Sequence, residues 1–145
     1  MTGMIIHRGA GSSGYVLDGG HAVTDPTASS TRYFGCFDGF LASTTNGAAP
    51  IYIPKNGVIQ SVFGVATVAG ILGSSETSSF YVRLNNTTDH LITSSLTHTV
   101  LSNPFNSASL SITVAAGDYI EIKWVTPAWV TLPTQILTST QVYIE

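Results

Sequence analysis

Charge is what this sequence has least of. Only 9% of its 145 residues are Asp, Glu, Lys or Arg, where a soluble domain ordinarily carries about 25%. The formal net charge is −3 and the ions are scattered, so there is no basic stripe to release counterions from a nucleic-acid backbone, and nucleic-acid binding is not expected. A membrane-spanning helix is missing too. The most apolar stretch, Val62 to Leu72, is broken by Gly64 and Gly70 and falls short of the about 20 apolar residues that a span needs. Cysteine is down to Cys36, which excludes an internal disulfide framework and fits synthesis in a reducing cytoplasm. The first residues, Met1 to Arg8, lack the apolar run of about 7–15 residues of a signal peptide.

Ser and Thr stand where charge would be. They fill about a quarter of the chain beside 43% hydrophobic residues, and they favour half-buried pleated surfaces and turns over helices. Surfaces of hydroxyl and aliphatic groups cost far less to desolvate than surfaces of ions, so self-assembly is a natural expectation. The length suits one domain with a core of its own.

Along the chain the pattern has two parts. Residues 1–31 carry Gly9, Gly11, Gly14, Gly19, Gly20 and Asp25-Pro26 with no sustained period, and predict an extended N-terminal arm. Two apolar anchors on it, Met4-Ile5-Ile6 and Tyr15-Val16-Leu17, mark it as an arm that docks on a partner. Residues 32–145 predict an antiparallel β-sandwich of about eight strands and essentially no helix. Its expected strands are Arg32 to Phe37, an edge segment at Ile51 to Pro54, Val58 to Val68, Phe80 to Leu84, a pair formed by Leu91 to Leu101 and Phe105 to Val114 around Asn103-Pro104, Tyr119 to Trp124, and Ile136 to Ile144. Alternation places Ile120, Ile122 and Trp124 inward against Tyr119, Glu121 and Lys123.

Chemistry is sparse. No stretch offers the Gly-x-Ser-x-Gly spacing of a nucleophile elbow, Gly11-Ser-Ser-Gly14 included, so no catalytic residue is expected. Asp118 and Glu121 fall on opposite faces of a strand entry, and Asp118 is expected to cap its own turn. His90 and His98 would lie about 26 Å apart along one strand and cannot share an ion within one subunit; they are expected to be exposed polar residues, with no metal or other cofactor. Trp129, in the loop Thr126-Pro-Ala-Trp-Val130, and Tyr119 are candidates for stacking on a sugar or packing at a subunit interface.

Lys55-Asn-Gly-Val-Ile59, Tyr81-Val-Arg-Leu-Asn85 and Val114-Ala-Ala-Gly-Asp-Tyr-Ile-Glu-Ile122 together resemble the jelly-roll modules of phage decoration proteins and fibre knobs, which are similar in architecture to the trimeric C1q and tumour-necrosis-factor family. The resemblance covers about Arg32 to Glu145. It implies a homotrimer on the virion surface, made in the host cytoplasm, in one of two roles. In the first the chain is a capsid decoration, or cement, protein that binds the major capsid protein or other virion proteins and stabilises the lattice. In the second it is a tail-fibre knob that recognises a host glycan.

Overall fold

The computed structural model describes residues 14–24, 26–35, 43–47 and 49–145, with the backbone alone for 19–24. Among them are ten strands and no helix: β1 Tyr15–Thr24, β2 Thr31–Phe34, β3 Ile51–Tyr52, β4 Gly57–Ala69, β5 Ser78–Leu84, β6 Thr88–Leu96, β7 Ser102–Ser107, β8 Ile112–Val114, β9 Tyr119–Val125 and β10 Gln135–Ile144. All pairings are antiparallel, and they make two five-stranded sheets. In one, here sheet A, the order is β1-β10-β4-β7, with β8 beside the start of β4; in the other, sheet B, it is β2-β9-β5-β6, with β3 beside the start of β9.

The order follows from a long hairpin folded over on itself. β5 pairs with β6, β4 with β7 and β8, β2 and β3 with β9, and β1 with β10. These are four nested antiparallel pairs. Two further contacts, β10 with β4 and β9 with β5, join neighbouring pairs side by side. With β2 and β3 counted as one broken strand, and β7 and β8 as another, this is the eight-strand winding of a jelly roll. The expected antiparallel sandwich is therefore what the chain forms.

Two expectations need correction. The stretch Tyr15 to Thr24 is not an arm but an edge strand of sheet A, with Tyr15 opposite Ile144 and Leu17 opposite Val142. Tyr15 and Leu17 are buried in the core while Val16 lies between them on the outer side. The alternation is real but short, because a register shift between Gly19 and Ala22 interrupts it. The sandwich thus begins well before Arg32. Met4, Ile5 and Ile6 lie outside the described residues. The second correction concerns Leu91 to Leu101 and Phe105 to Val114, which do not pair. β6 closes the edge of sheet B while β7 joins β4 in sheet A, and Asn103-Pro104 lies within β7. The Asn103 amide donates to the carbonyls of Ala66 and Val100 at 3.2 and 2.8 Å, which fixes the crossing between sheets.

The core lies between the inner faces. Phe80 of β5 stacks on Trp124 of β9 at 5.8 Å and on Phe105 of β7 at 4.4 Å, tying sheet B to sheet A. Gly64 makes room for that bridge, since a Cβ there would sit 2.3 Å from the Phe105 ring. At the end opposite the crossing, the turn from Ala115 to Asp118 closes by a bond from the Asp118 amide to the Ala115 carbonyl, with Gly117 at φ 91°. Asp118 caps it as expected, accepting from the Ala115 amide at 2.7 Å and the Asn85 side chain at 2.9 Å. Those two bonds hold its carboxyl below the usual range.

Candidate interaction surface

Winding a jelly roll brings alternate connections to one end. Here these are 26–30 (before β2), 70–77 (β4 to β5), 97–101 (β6 to β7) and 126–134 (β9 to β10). Five of the eight large apolar side chains exposed among the described residues are in three of these loops: Ile71, Val100, Leu101, Val130 and Leu132. Val130 is 85% exposed and Leu101 64%. Scattered exposed apolar residues need no explanation, but a cluster does.

The loops carrying them are bonded to one another. The Ile71 amide donates to the Thr134 hydroxyl at 3.0 Å and the Thr134 amide returns to the Ile71 carbonyl at 3.3 Å. The Gly73 amide donates to the His98 carbonyl at 3.0 Å, and Val68 to Leu101 at 2.8 Å. The amides of Val130 and Thr131 donate to the Glu76 carboxylate and the Ser74 hydroxyl, at 3.1 and 3.2 Å. Ser74 in turn donates to Glu76 at 2.8 Å. Its own amide, the Ser74 hydroxyl and the Val130 amide hold the Glu76 carboxyl below its ordinary range, so the one acid in the three loops is ionised and already engaged. Thr126 adds the fourth loop: its hydroxyl donates to the Thr27 carbonyl at 2.6 Å and accepts from the Ser30 amide at 2.8 Å. A network of this kind keeps the aliphatic side chains from folding back onto their own core, and preorganisation of this sort lowers the entropy cost of binding.

Beneath the loops sits His98, which is fully buried rather than exposed as its sequence context implied. Its Nε2 pairs with the Ser78 hydroxyl at 2.8 Å, and its ring meets Trp129 and Trp124 edge-on at 5.4 and 6.3 Å. Burial pushes its pKa down to about 4. The imidazole is therefore neutral at physiological pH and acts as a packing element. Ser78 is as buried as His98, and a hydroxyl sealed from solvent cannot meet a substrate, so the pair serves structure.

The sequence candidates separate. Trp129 lies in the loop end, half-buried against the core, with its indole nitrogen enclosed. It supports the platform from below more than it offers a face for stacking. Tyr119 opens β9 at the far end of sheet B, beside Tyr52 at 5.8 Å. One full strand divides the two, so they do not form one site. His90 is on β6 and His98 beyond its end, and no group of three metal-ligating side chains occurs among the described residues. The five loop aliphatics were missed. The usable signal was apolar residues inside turn-rich segments, Gly70-Ile-Leu-Gly73, Thr99-Val-Leu-Ser102 and Val130-Thr-Leu-Pro133, where solvated turns have no use for them.

No family model matches the chain, and no curated protein matches it. Among solved structures, the crystal structure of FLHE is similar, with a TM-score of 0.50 at 12% identity over 92% of this chain and 96% of that chain. At that identity the likeness speaks for the fold alone. It leaves the apolar loop end to be explained from this chain's own residues.

Proposed function

We propose that this chain is a structural virion protein, a capsid decoration protein that assembles as a trimer and docks on the shell through its loop end. The observation that carries this reading is the cluster of Ile71, Val100, Leu101, Val130 and Leu132 on hydrogen-bonded loops, a preformed apolar surface on a charge-poor chain. Support comes also from the jelly-roll winding and from the residues that resemble phage decoration modules. On this reading the loop end, rather than an arm, does the docking, since Tyr15 and Leu17, expected to anchor an arm, are committed to the core.

A decoration protein binds the assembled lattice and not its free subunits, so saturating it stabilises the lattice by linkage, by about 2.7 kcal/mol per site at 100-fold above the dissociation constant. Particles lacking the protein should release their genome at lower temperature and regain resistance when it is added back. Protein with Leu101→Asp and Val130→Asp should fail to restore it while keeping its own unfolding temperature. Depleted particles with normal heat resistance but lost adsorption to the host would overturn this reading in favour of a receptor-binding knob.

A further inference from the structure

The outer face of sheet A is a second surface poor in charge. Its exposed and half-exposed side chains include Ser61, Phe63, Val65 and Thr67 on β4. Opposite them in register stand Tyr143, Gln141, Ser139 and Leu137 on β10, and Asn106, Pro104 and Ser102 on β7. Among the described residues its ions lie at the margins: Asp18 on the β1 edge, which accepts from the Gln141 amide at 3.0 Å, and Glu145 just past the end of β10, bonded through its backbone to Val58. Phe63 lies on the central strand, flanked by both neighbours, and is 51% exposed. An aromatic at the centre with neutral hydroxyl and amide groups around it is the pattern of an interface anchor and its rim.

We infer that this face is where a second copy of the chain packs, so that subunits of the proposed assembly meet through the outer faces of their A sheets. Three observations favour a copy over a foreign partner and face-packing over strand addition. The centre of the face, around Phe63, holds no ion and its acids stand at the margins, so a second copy can meet that centre without bringing like charges together there. Four strands about 4.8 Å apart and ten residues at about 3.3 Å each span about 600 Å² in projection before side-chain relief. That is close to the about 800 Å² per partner of a standard interface. Both edges of the sheet are blunted against strand addition, by Pro104 in edge strand β7 and by the register shift between Gly19 and Ala22 in edge strand β1. The face remains the surface for association.

This inference rests on the self-association in the reading above, and the experiment separates the two. Sedimentation velocity on the full chain at micromolar concentration should show an oligomer. Phe63→Arg should raise its dissociation constant at least about tenfold, because an unpaired cation would have to be buried at the centre of the contact. Asn106→Arg, exposed and opposite Phe63 in register, should do the same and serves if the first variant folds poorly. Leu91→Arg, exposed on sheet B, should leave the oligomer intact. An oligomer that both sheet A variants leave unchanged would overturn the assignment of the face while sparing trimer formation. A monomeric wild-type chain would overturn both.

Discussion

The two sheets treat charge in opposite ways on their outer faces. Sheet B carries Arg83, Asp89, Glu121 and Lys123, and every one is engaged. Asp89 receives Arg83 and Lys123 at 2.6 Å each. The two cations also lie over Tyr33 and Tyr81 at 5.8 and 5.2 Å. Glu121, buried beneath the connection from β2 to β3, accepts from the amides of Gly47 and Ala49 at 2.7 and 3.0 Å. Across the sandwich, sheet A offers Phe63, Val65, Pro104, Leu137 and a field of hydroxyls and amides. In a chain this poor in ions, gathering these four on one face reserves that face for water and leaves the centre of the other inexpensive to desolvate. The inner faces differ as well. Sheet B brings Phe80 and Trp124, whereas the inward residues of β10 in sheet A are Ile136, Thr138, Thr140, Val142 and Ile144.

The largest test of that contrast is at the inner face of sheet B. Trp124 is fully buried in the stack with Phe80, and Trp124→Ala should cost about 3–5 kcal/mol, the usual range for a buried Trp. Trp129 is only half-buried at the loop end, so Trp129→Ala should cost about 1–2 kcal/mol. Chemical denaturation of both variants measures the two losses. Equal losses would mean that the loop end belongs to the same cooperative core as the sheet.

The inward order Ile120, Ile122, Trp124 was legible because strict alternation on a half-buried strand shows itself in any window of seven residues, and the same holds for β5, whereas β4 alternates imperfectly and β10 turns Thr138 and Thr140 inward. β1 was not legible. Its partner Ile144 is at the far end of the chain and Gly19-Gly20 hides its period, so nothing local marks Tyr15 and Leu17 as core. His98 was misread for a related reason. Thr97-His98-Thr99 looks polar in sequence, and only the folding of 70–77 and 126–134 over it, with Ser78 satisfying one ring nitrogen, makes a neutral imidazole welcome inside. Pairing of β7 with β4 rather than with β6 is a choice between sheets, which alternation within a strand does not encode.

His98 supplies the next largest effect. Above pH about 6.5 both folded and unfolded chains carry it neutral. As pH falls from about 6.5 toward 4, the unfolded chain takes up a proton that the folded chain refuses, since burial has lowered the folded value to about 4. Stability should therefore fall through that window by up to about 3 kcal/mol and then level off as far as this group is concerned. The depressed carboxyls of Glu76, Asp89 and Asp118 act later. Their contribution is full above their ordinary values and fades only as pH drops through the lowered ones. Denaturant midpoints at pH 7, 6 and 5 measure the slope, which His98→Gln should flatten. A wild-type midpoint that stays level down to pH 5 would mean that the imidazole reaches water, and the sealed base of the loop end would have to be abandoned.

The smallest effect is on the outer face of sheet B and tests whether its charges serve solvation. Burial pushes the Asp89 carboxyl up, yet hydrogen bonds from Lys123 and Arg83, with their charges, outweigh it and keep it below the usual range. Asp89→Asn keeps the shape and removes the charge. The cations do not lose every partner: Arg83 still donates to the Asn86 carbonyl at 2.8 Å, and Lys123 still lies over Tyr81. The partners are partly exposed, with side-chain exposures of 15–26%, so the loss should stay under about 1 kcal/mol. Screening should shrink it further in high salt. Urea titrations of wild type and variant at low and high ionic strength measure both quantities. A loss above about 2 kcal/mol that salt does not touch would make this triad a structural clamp like Glu121, and the division into a solvated face and a neutral one would then rest on sheet A alone.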